Sequence, residues 1–260
     1  MPSDSRFAVP DARPAGEAAA LAQLRHTWST LGADDPLWAI LSRPDMRGGR
    51  WDADAFFAAG EREIGAIEGH LAEFGLPRER RRALDFGCGV GRLTRALATR
   101  YAQVIGVDIA PSMLAQARRL LEACSNVSFV ENAAARLDFL DDASVDLVYS
   151  VITLHHNPPA LQRAYIDEFL RVLAPGGAAV FQIASGFSSD WRGMVYRTLP
   201  NRWLAPLRRR LHRSAVAAEL HVLDVRHVHE IAAARGRRVL AALDNDSAGA
   251  GFRAQLLFVG

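Results

Sequence analysis

Lysine is absent from this sequence: all 31 basic residues are arginine. A Schiff-base enzyme, a pyridoxal-phosphate site and a Walker A phosphate loop each need an amine, so all three are excluded. Arginine stays protonated at ordinary pH and cannot stand in for that amine as a proton acceptor. Cysteine is scarce. Cys88 and Cys124 have neither metal-ligand spacing nor a partner pattern, which fits a reduced, intracellular chain and gives no metal site. No apolar run approaches the roughly 18 to 20 residues that span a bilayer, and the first twenty or so residues lack a basic region followed by an apolar one. A cytoplasmic location is the expectation. Charge of one sign hardly dominates either: the formal net charge is +2, too little to announce a nucleic-acid partner unless it is concentrated on one face.

What is present is a chain of 260 residues, half of them hydrophobic, enough for one domain with a full core and a small appendage. From Arg82 onward, short apolar runs alternate with helical patterns. Strands are expected at 83–86, 103–107, 127–131, 145–150 and 178–183, with helices near 92–100, 112–123 and 158–173. Asn157 is the expected cap of the third helix, and Pro175-Gly176-Gly177 its terminator. A last helix at 224–235 precedes strands at 239–243 and 252–259. The expected fold class is α/β: a doubly wound, mostly parallel seven-stranded sheet ending in an antiparallel hairpin. Residues 1–16 are expected to be disordered, 17–76 to form a helical N-terminal cap, and 77–260 the main domain with an insert at 185–222.

The most informative stretch is Asp85-Phe86-Gly87-Cys88-Gly89-Val90-Gly91-Arg92, which follows an apolar strand and opens a helix. Gly87 can take a positive φ, and Gly89 lets backbone approach a ligand closely. A dinucleotide loop wants a further glycine where Arg92 stands, so the GxGxxG pattern fails. Asp85 would repel a pyrophosphate but favours an ammonium or sulfonium. About twenty residues on, the next strand ends at Asp108, which can accept both hydroxyls of a ribose or can cap the following helix. Ser150 to Pro158 closes the fourth strand with His155 and His156. In a doubly wound sheet this segment borders the crevice, where a histidine can take a proton or merely brace the next helix.

Taken together, these residues resemble the class I S-adenosylmethionine-dependent methyltransferases from about Trp51 to the C-terminus. The similarity rests on the loop Asp85 to Gly91, the strand ending at Asp108, Asp146-Leu147-Val148-Tyr149-Ser150, and Leu170-Arg171-Val172-Leu173-Ala174-Pro175-Gly176-Gly177. The resemblance implies S-adenosyl-L-methionine as cofactor. Gly87 and Gly89 would face its methionine part, Asp85 its amino group, Asp108 its ribose, and Ile109 and Met113 its adenine. Cys88, Ala133 and Ser150 complete the cofactor set that it implies. Many members place Asp before Ala after the third strand; here Asn132 is the substitute, one residue out of register, and an amide can bond the adenine edge as a carboxylate does. A subset of the family has Leu-Gln-His at Leu154-His155-His156, which favours His156 as the recurrent histidine.

Two segments stay open at this stage. Trp51-Asp52 and Phe56-Phe57 read either as part of a cap over the cofactor or as core. The insert interleaves Trp191, Met194, Leu199, Trp203, Leu204, Leu207 and Leu211 with Arg197, Arg202, Arg208, Arg209, Arg210 and Arg213, broken at Pro200 and Pro206. It is a lid over a small acceptor, a surface for an anionic or membrane-borne acceptor, or a solvated basic face. The expected activity is methyl transfer to a small molecule at oxygen, with natural-product, glycan and lipid or quinone acceptors all open. A non-catalytic cofactor-binding protein, a nicotinamide oxidoreductase and a nucleic-acid methyltransferase are the competing classes. Both monomer and homodimer are compatible with the sequence.

Overall fold

The computed structural model describes residues 15–199, 203–204, 206, 210, 216, 218–245 and 249–260. The expectation of disorder at 1–16 therefore falls almost wholly outside the described residues, as do Pro200, Arg202, Leu207, Arg208, Arg209, Leu211 and Arg213 of the insert.

Seven strands form one sheet: β1 (Arg82–Phe86), β2 (Gln103–Asp108), β3 (Val127–Glu131), β4 (Val145–Ser150), β5 (Leu173–Phe187), β6 (Val239–Asn245) and β7 (Phe252–Val259). Their order is β3-β2-β1-β4-β5-β7-β6. The first five run parallel, and β7 is antiparallel to both its neighbours. The expected sheet is the observed one. The chain reverses direction across the sheet between β1 and β4, and in such folds the ligand crevice opens there, beyond the carboxyl ends of the strands.

The helices are α1 (Ala15–Asp34), α2 (Pro36–Ile40), α3 (Ala53–Glu73), α4 (Arg92–Ala98), α5 (Pro111–Leu120), α6 (Pro159–Val172), α7 (Trp191–Thr198) and α8 (Val225–Ala234). Strand alternation sends Leu84, Phe86, Val148 and Phe181 to one face, against Leu161, Tyr165 and Phe169 of α6 and Val228 of α8. Ala83, Leu147, Tyr149 and Val180 point the other way, against Ile64 and Leu71 of α3 and Leu93 and Leu97 of α4. A third cluster places Phe56 and Phe57 with Ala39, Val90 and Met113, so α2 and the start of α3 pack over the glycine loop and α5.

Two local expectations change. Asn157 does not cap α6: its amide donates to the Thr153 and Leu154 carbonyls at 2.9 and 3.3 Å, and Pro158 occupies the cap position. Pro175-Gly176-Gly177 lies inside β5, which already pairs at Leu173 with Val145, slips register, and resumes at Ala178 opposite Leu147. The break is thus a bulge in the strand. Asp146 accepts the backbone N–H groups of Arg81 and Arg82 at 2.8 and 3.0 Å, which clasps the start of β1 at the edge of the sheet opposite the crevice.

Candidate active site

A cleft lined by the glycine loop and by the ends of β1, β2 and β4 opens beyond the sheet, where small-molecule sites of such folds lie. Its floor is the glycine loop. Gly87 has a φ of +76°, and a Cβ added there would lie 2.2 Å from the Thr153 hydroxyl oxygen, so only glycine fits. The Gly87 and Cys88 amides both donate to the Val107 carbonyl, at 2.7 and 2.9 Å, which ties the loop to the end of β2. Asp108 completes the attachment: one carboxylate oxygen accepts from the Gly89 amide and the other from the Ala110 amide, each at 2.8 Å. Burial raises its pKa, and those backbone bonds oppose the rise. Each oxygen keeps acceptor capacity for a ligand hydroxyl.

Asp85 projects from β1 into the same cleft and is 2% exposed. The Thr94 hydroxyl donates to it at 2.6 Å. Burial pushes its carboxyl up to about 7, against the opposing pull of the Thr94 bond and the Arg92 charge. Arg92, itself 3% exposed and also lining the cleft, is committed elsewhere: its guanidinium meets Glu63 of α3 at 2.8 Å, and Glu63 accepts the Tyr149 hydroxyl at 3.1 Å. A carboxyl poised near neutrality at a cleft wall accommodates a cationic ligand group by losing its proton.

Toward β3, Ile109, Met113 and Asn132 line the cleft. The Asn132 amide nitrogen donates to the Ala134 carbonyl at 2.9 Å, and its side-chain oxygen is an acceptor by its chemistry. Cys88 is buried in the floor with its thiol against the Gly89 carbonyl. Two members of the expected set do not line the cleft. Ser150 is wholly buried and donates to the Phe86 carbonyl at 3.0 Å, joining β4 to β1, and Ala133 lies in a separate shallow recess with α1.

The histidines sit just beyond the cleft, in the short turn Leu154–His156. His155 is 1% exposed, and its Nδ1 has no hydrogen-bond partner among the described residues. Burial and the neighbouring His156 hold its pKa well below the ordinary histidine range. His156 packs edge-on against Trp28 of α1 with ring centroids 4.9 Å apart, and its Nδ1 lies 2.9 Å from the Glu219 carbonyl. A carbonyl can only accept, so Nδ1 carries the proton and Nε2 is the basic nitrogen. Neither ring lines the cleft; Trp28, Thr153 and Asn157 stand there.

Leu24, Trp28 and Ile40 of the N-terminal helices line the cleft, as do Ile152 and Tyr165, and sequence reading had assigned none of them a role. Ile152 has a φ of +55°, a strained value for a β-branched residue. It is held by a hydrogen bond from its amide to the side-chain oxygen of fully buried Gln182, at 2.8 Å. No sequence motif marks such a residue. Trp28 carried the one usable signal, as an aromatic in an otherwise alanine-rich helix.

Residues 83–177 match the family described as a methyltransferase domain. The chain is 35% identical over 130 residues to 2-methyl-6-phytyl-1,4-hydroquinone methyltransferase of Synechocystis sp., the match covering 49% of this chain and 38% of that protein. It is 33% identical over 147 residues to the ubiquinone biosynthesis O-methyltransferase of Idiomarina loihiensis, covering 54% of this chain and 58% of the relative. Trans-aconitate 2-methyltransferase of Streptomyces avermitilis matches at 35% over 117 residues, covering 44% and 43% respectively. The chain spans about half the length of the curated relatives it matches. Among solved structures, magnesium protoporphyrin IX methyltransferase from Synechocystis PCC 6803 with bound SAH superposes with a TM-score of 0.60 at 17% identity, over 90% of this chain and 96% of that one. That likeness speaks to the fold. The matched segment, residues 83–177, therefore resembles a methyltransferase domain, and the strand order and the glycine loop between β1 and α4 agree with a Rossmann-like methyltransferase fold.

Proposed function

We propose that the chain transfers a methyl group from S-adenosylmethionine to a hydroxyl of a small-molecule acceptor. The observation that carries this reading is the pairing, in one cleft, of buried Asp85 beside the glycine loop with Asp108 at the end of β2. The residues present fit the cofactor group by group. Asp85 supplies an anion for its ammonium, Asp108 two acceptors for the ribose hydroxyls, Ile109 and Met113 apolar surface for the adenine, and the Asn132 oxygen an acceptor for the exocyclic amine. When bound, S-adenosylmethionine supplies an electrophilic methyl on a sulfonium.

The chain's own contribution is alignment, exclusion of water and disposal of one proton. Alignment of a displacement is worth up to roughly 7–11 kcal/mol, so it supplies most of the acceleration. Leu24, Trp28 and Ile40 roof the cleft and exclude water from it. In this reading residues 17–76 are the cap and 77–260 the methyltransferase domain, and the insert at 185–222, expected as a lid, covers nothing of the cleft with its described residues. The return limb of the insert holds the histidines: the His221 amide donates to the His155 carbonyl at 2.8 Å. An acceptor that extends past the cleft lining to the Leu154–His156 turn gives its hydroxyl proton to Nε2 of His156, whose tautomer the Glu219 carbonyl sets, while His155 stays neutral beside it. The names of the relatives, which include hydroquinone and ubiquinone-biosynthesis methyltransferases, support a phenolic acceptor.

Turnover with methyl-labelled S-adenosylmethionine and a panel of catechols, hydroquinones and carboxylic acids tests this reading, with methylated phenol the expected product. His156→Ala should lower kcat by about 10²–10⁴ while leaving cofactor affinity within twofold or so. An unchanged kcat removes His156 from the mechanism and leaves alignment alone.

A further inference from the structure

The described part of the insert presents a bare apolar face that the cleft does not use. Six large hydrophobic side chains are exposed among the described residues, and four of them fall between positions 191 and 203: Trp191 at 69%, Met194 at 57%, Leu199 at 42% and Trp203 at 67%. No described residue of 185–222 lines the cleft. In this structure, then, that face is turned to solvent and does not cover an acceptor.

Helix α7 is held firmly from its other side. The Tyr196 ring lies 4.8 Å from that of Phe252 on β7. A Cβ at Gly193 would come within 2.0 Å of the Ser188 carbonyl oxygen, and one at Gly251 within 2.6 Å of the Tyr196 ring, so both glycines are there for close packing. Asp190 caps the helix by accepting from the Gly193 amide at 2.9 Å. With Tyr196 and Gly193 turned inward, the 3.6-residue period puts Trp191 and Met194 on the opposite side, flanked by exposed Arg192 and Arg197. An indole beside a thioether, bordered on both edges by guanidinium groups, is the composition of a helix lying in a lipid headgroup layer: aromatic and apolar groups reach the acyl boundary while long cations stay with the phosphates.

Charge points the same way. Residues 185–222 hold seven arginines against two acids, although the whole chain carries only +2. The remainder of the sequence is therefore net acidic, and the positive charge is concentrated in the stretch of sequence that carries Trp191 and Trp203. No described helix is long and apolar enough to cross a membrane. We infer that the exposed face of α7 that carries Trp191 and Met194, together with the exposed Trp203, forms a docking surface for an anionic lipid bilayer, entered from the interface. The segment leaves the carboxyl end of β5, the same edge of the sheet on which the cleft opens, so docking brings that edge to the bilayer. This inference stands whether or not the chain transfers methyl groups.

The test is sedimentation of the full chain with vesicles of phosphatidylcholine alone and of phosphatidylcholine with equimolar phosphatidylglycerol. The expected result is binding to the anionic vesicles only, weakened by salt. The double substitution Trp191→Ser with Trp203→Ser should reduce it by about tenfold or more, and Arg192→Gln with Arg197→Gln should abolish its preference for anionic lipid. All four side chains are exposed, and a thermal melt matching the parent confirms that each variant is folded. Failure to sediment with anionic vesicles at low salt overturns the inference, as does binding that survives the tryptophan substitutions. Equal retention of the chain by single-stranded RNA, lost in the same variants, would identify a nucleic-acid surface and overturn it too.

Discussion

Asp85 is the residue on which the electrostatics of the cleft turn. A carboxyl whose pKa is raised to about 7 by burial is half protonated at neutral pH, and only its ionised form pairs with an ammonium. Cofactor affinity should therefore fall as pH drops through about 7, by up to roughly tenfold per unit. The sign for the unliganded protein is the reverse. A folded-state pKa above the ordinary value of 3.8 means that Asp85 costs stability progressively as pH rises from that value to about 7, and nothing further above it. Stabilisation by added S-adenosylhomocysteine should accordingly grow between about pH 6 and pH 8, as read by thermal melts with and without the ligand. Asp85→Asn should flatten that dependence; a variant that retains it would show that another group titrates. Both aspartates were legible in the sequence because a charged residue within or ending an apolar strand, next to a glycine loop, is rare without a cause. The true place of Ser150 was not legible, since a hydroxyl that ties two strands together and one that meets a ligand look alike in one dimension.

At the scale of elements, strand and helix identities followed from periodicity, while the connections between them did not. Pro175-Gly176-Gly177 carries every local signal of a breaker, yet β5 runs through it because Leu173 pairs with Val145 across the sheet. Arg171, within one of the family motifs, is structural: it is hydrogen-bonded to the Leu137 and Leu140 carbonyls, each at 3.0 Å, and fastens the loop between β3 and β4 onto α6. The strained turn after β4 depends similarly on a distant strand. Gln182 of β5 accepts the Ile152 amide and donates to Asn245 of β6 at 2.9 Å, so Gln182→Ala strips a partly buried N–H of its acceptor. Chemical denaturation should show a loss of about 1–3 kcal/mol, with weaker cofactor binding because Thr153 and Ile152 form a wall of the cleft. A stability change without any change in affinity would mean that the turn is independent of the site.

For the molecule as a whole, the parallel sheet and its antiparallel end were readable from the alternation of apolar runs, because each strand of a parallel sheet announces its own burial, whereas the order of the strands was not. Nor was the roof of the site. Helix α1 is alanine-rich and marks itself as a helix, but its docking over α5 and the histidine turn rests on contacts across the chain: Ser112 donates to the Ser29 carbonyl at 2.9 Å, and Trp28 meets His156. The small net charge likewise concealed a basic insert on an otherwise acidic body. Under the proposed function, one cleft takes an adenosyl sulfonium through Asp85 and Asp108. Calorimetric titration of the parent chain and of Asp108→Ala with S-adenosylmethionine, alongside NAD, examines that directly. The account predicts one site for S-adenosylmethionine, weakened by roughly 1.5–3 kcal/mol on losing the Asp108 carboxylate, and no heat with NAD. Equal affinity in parent and variant, or preference for NAD, would contradict it.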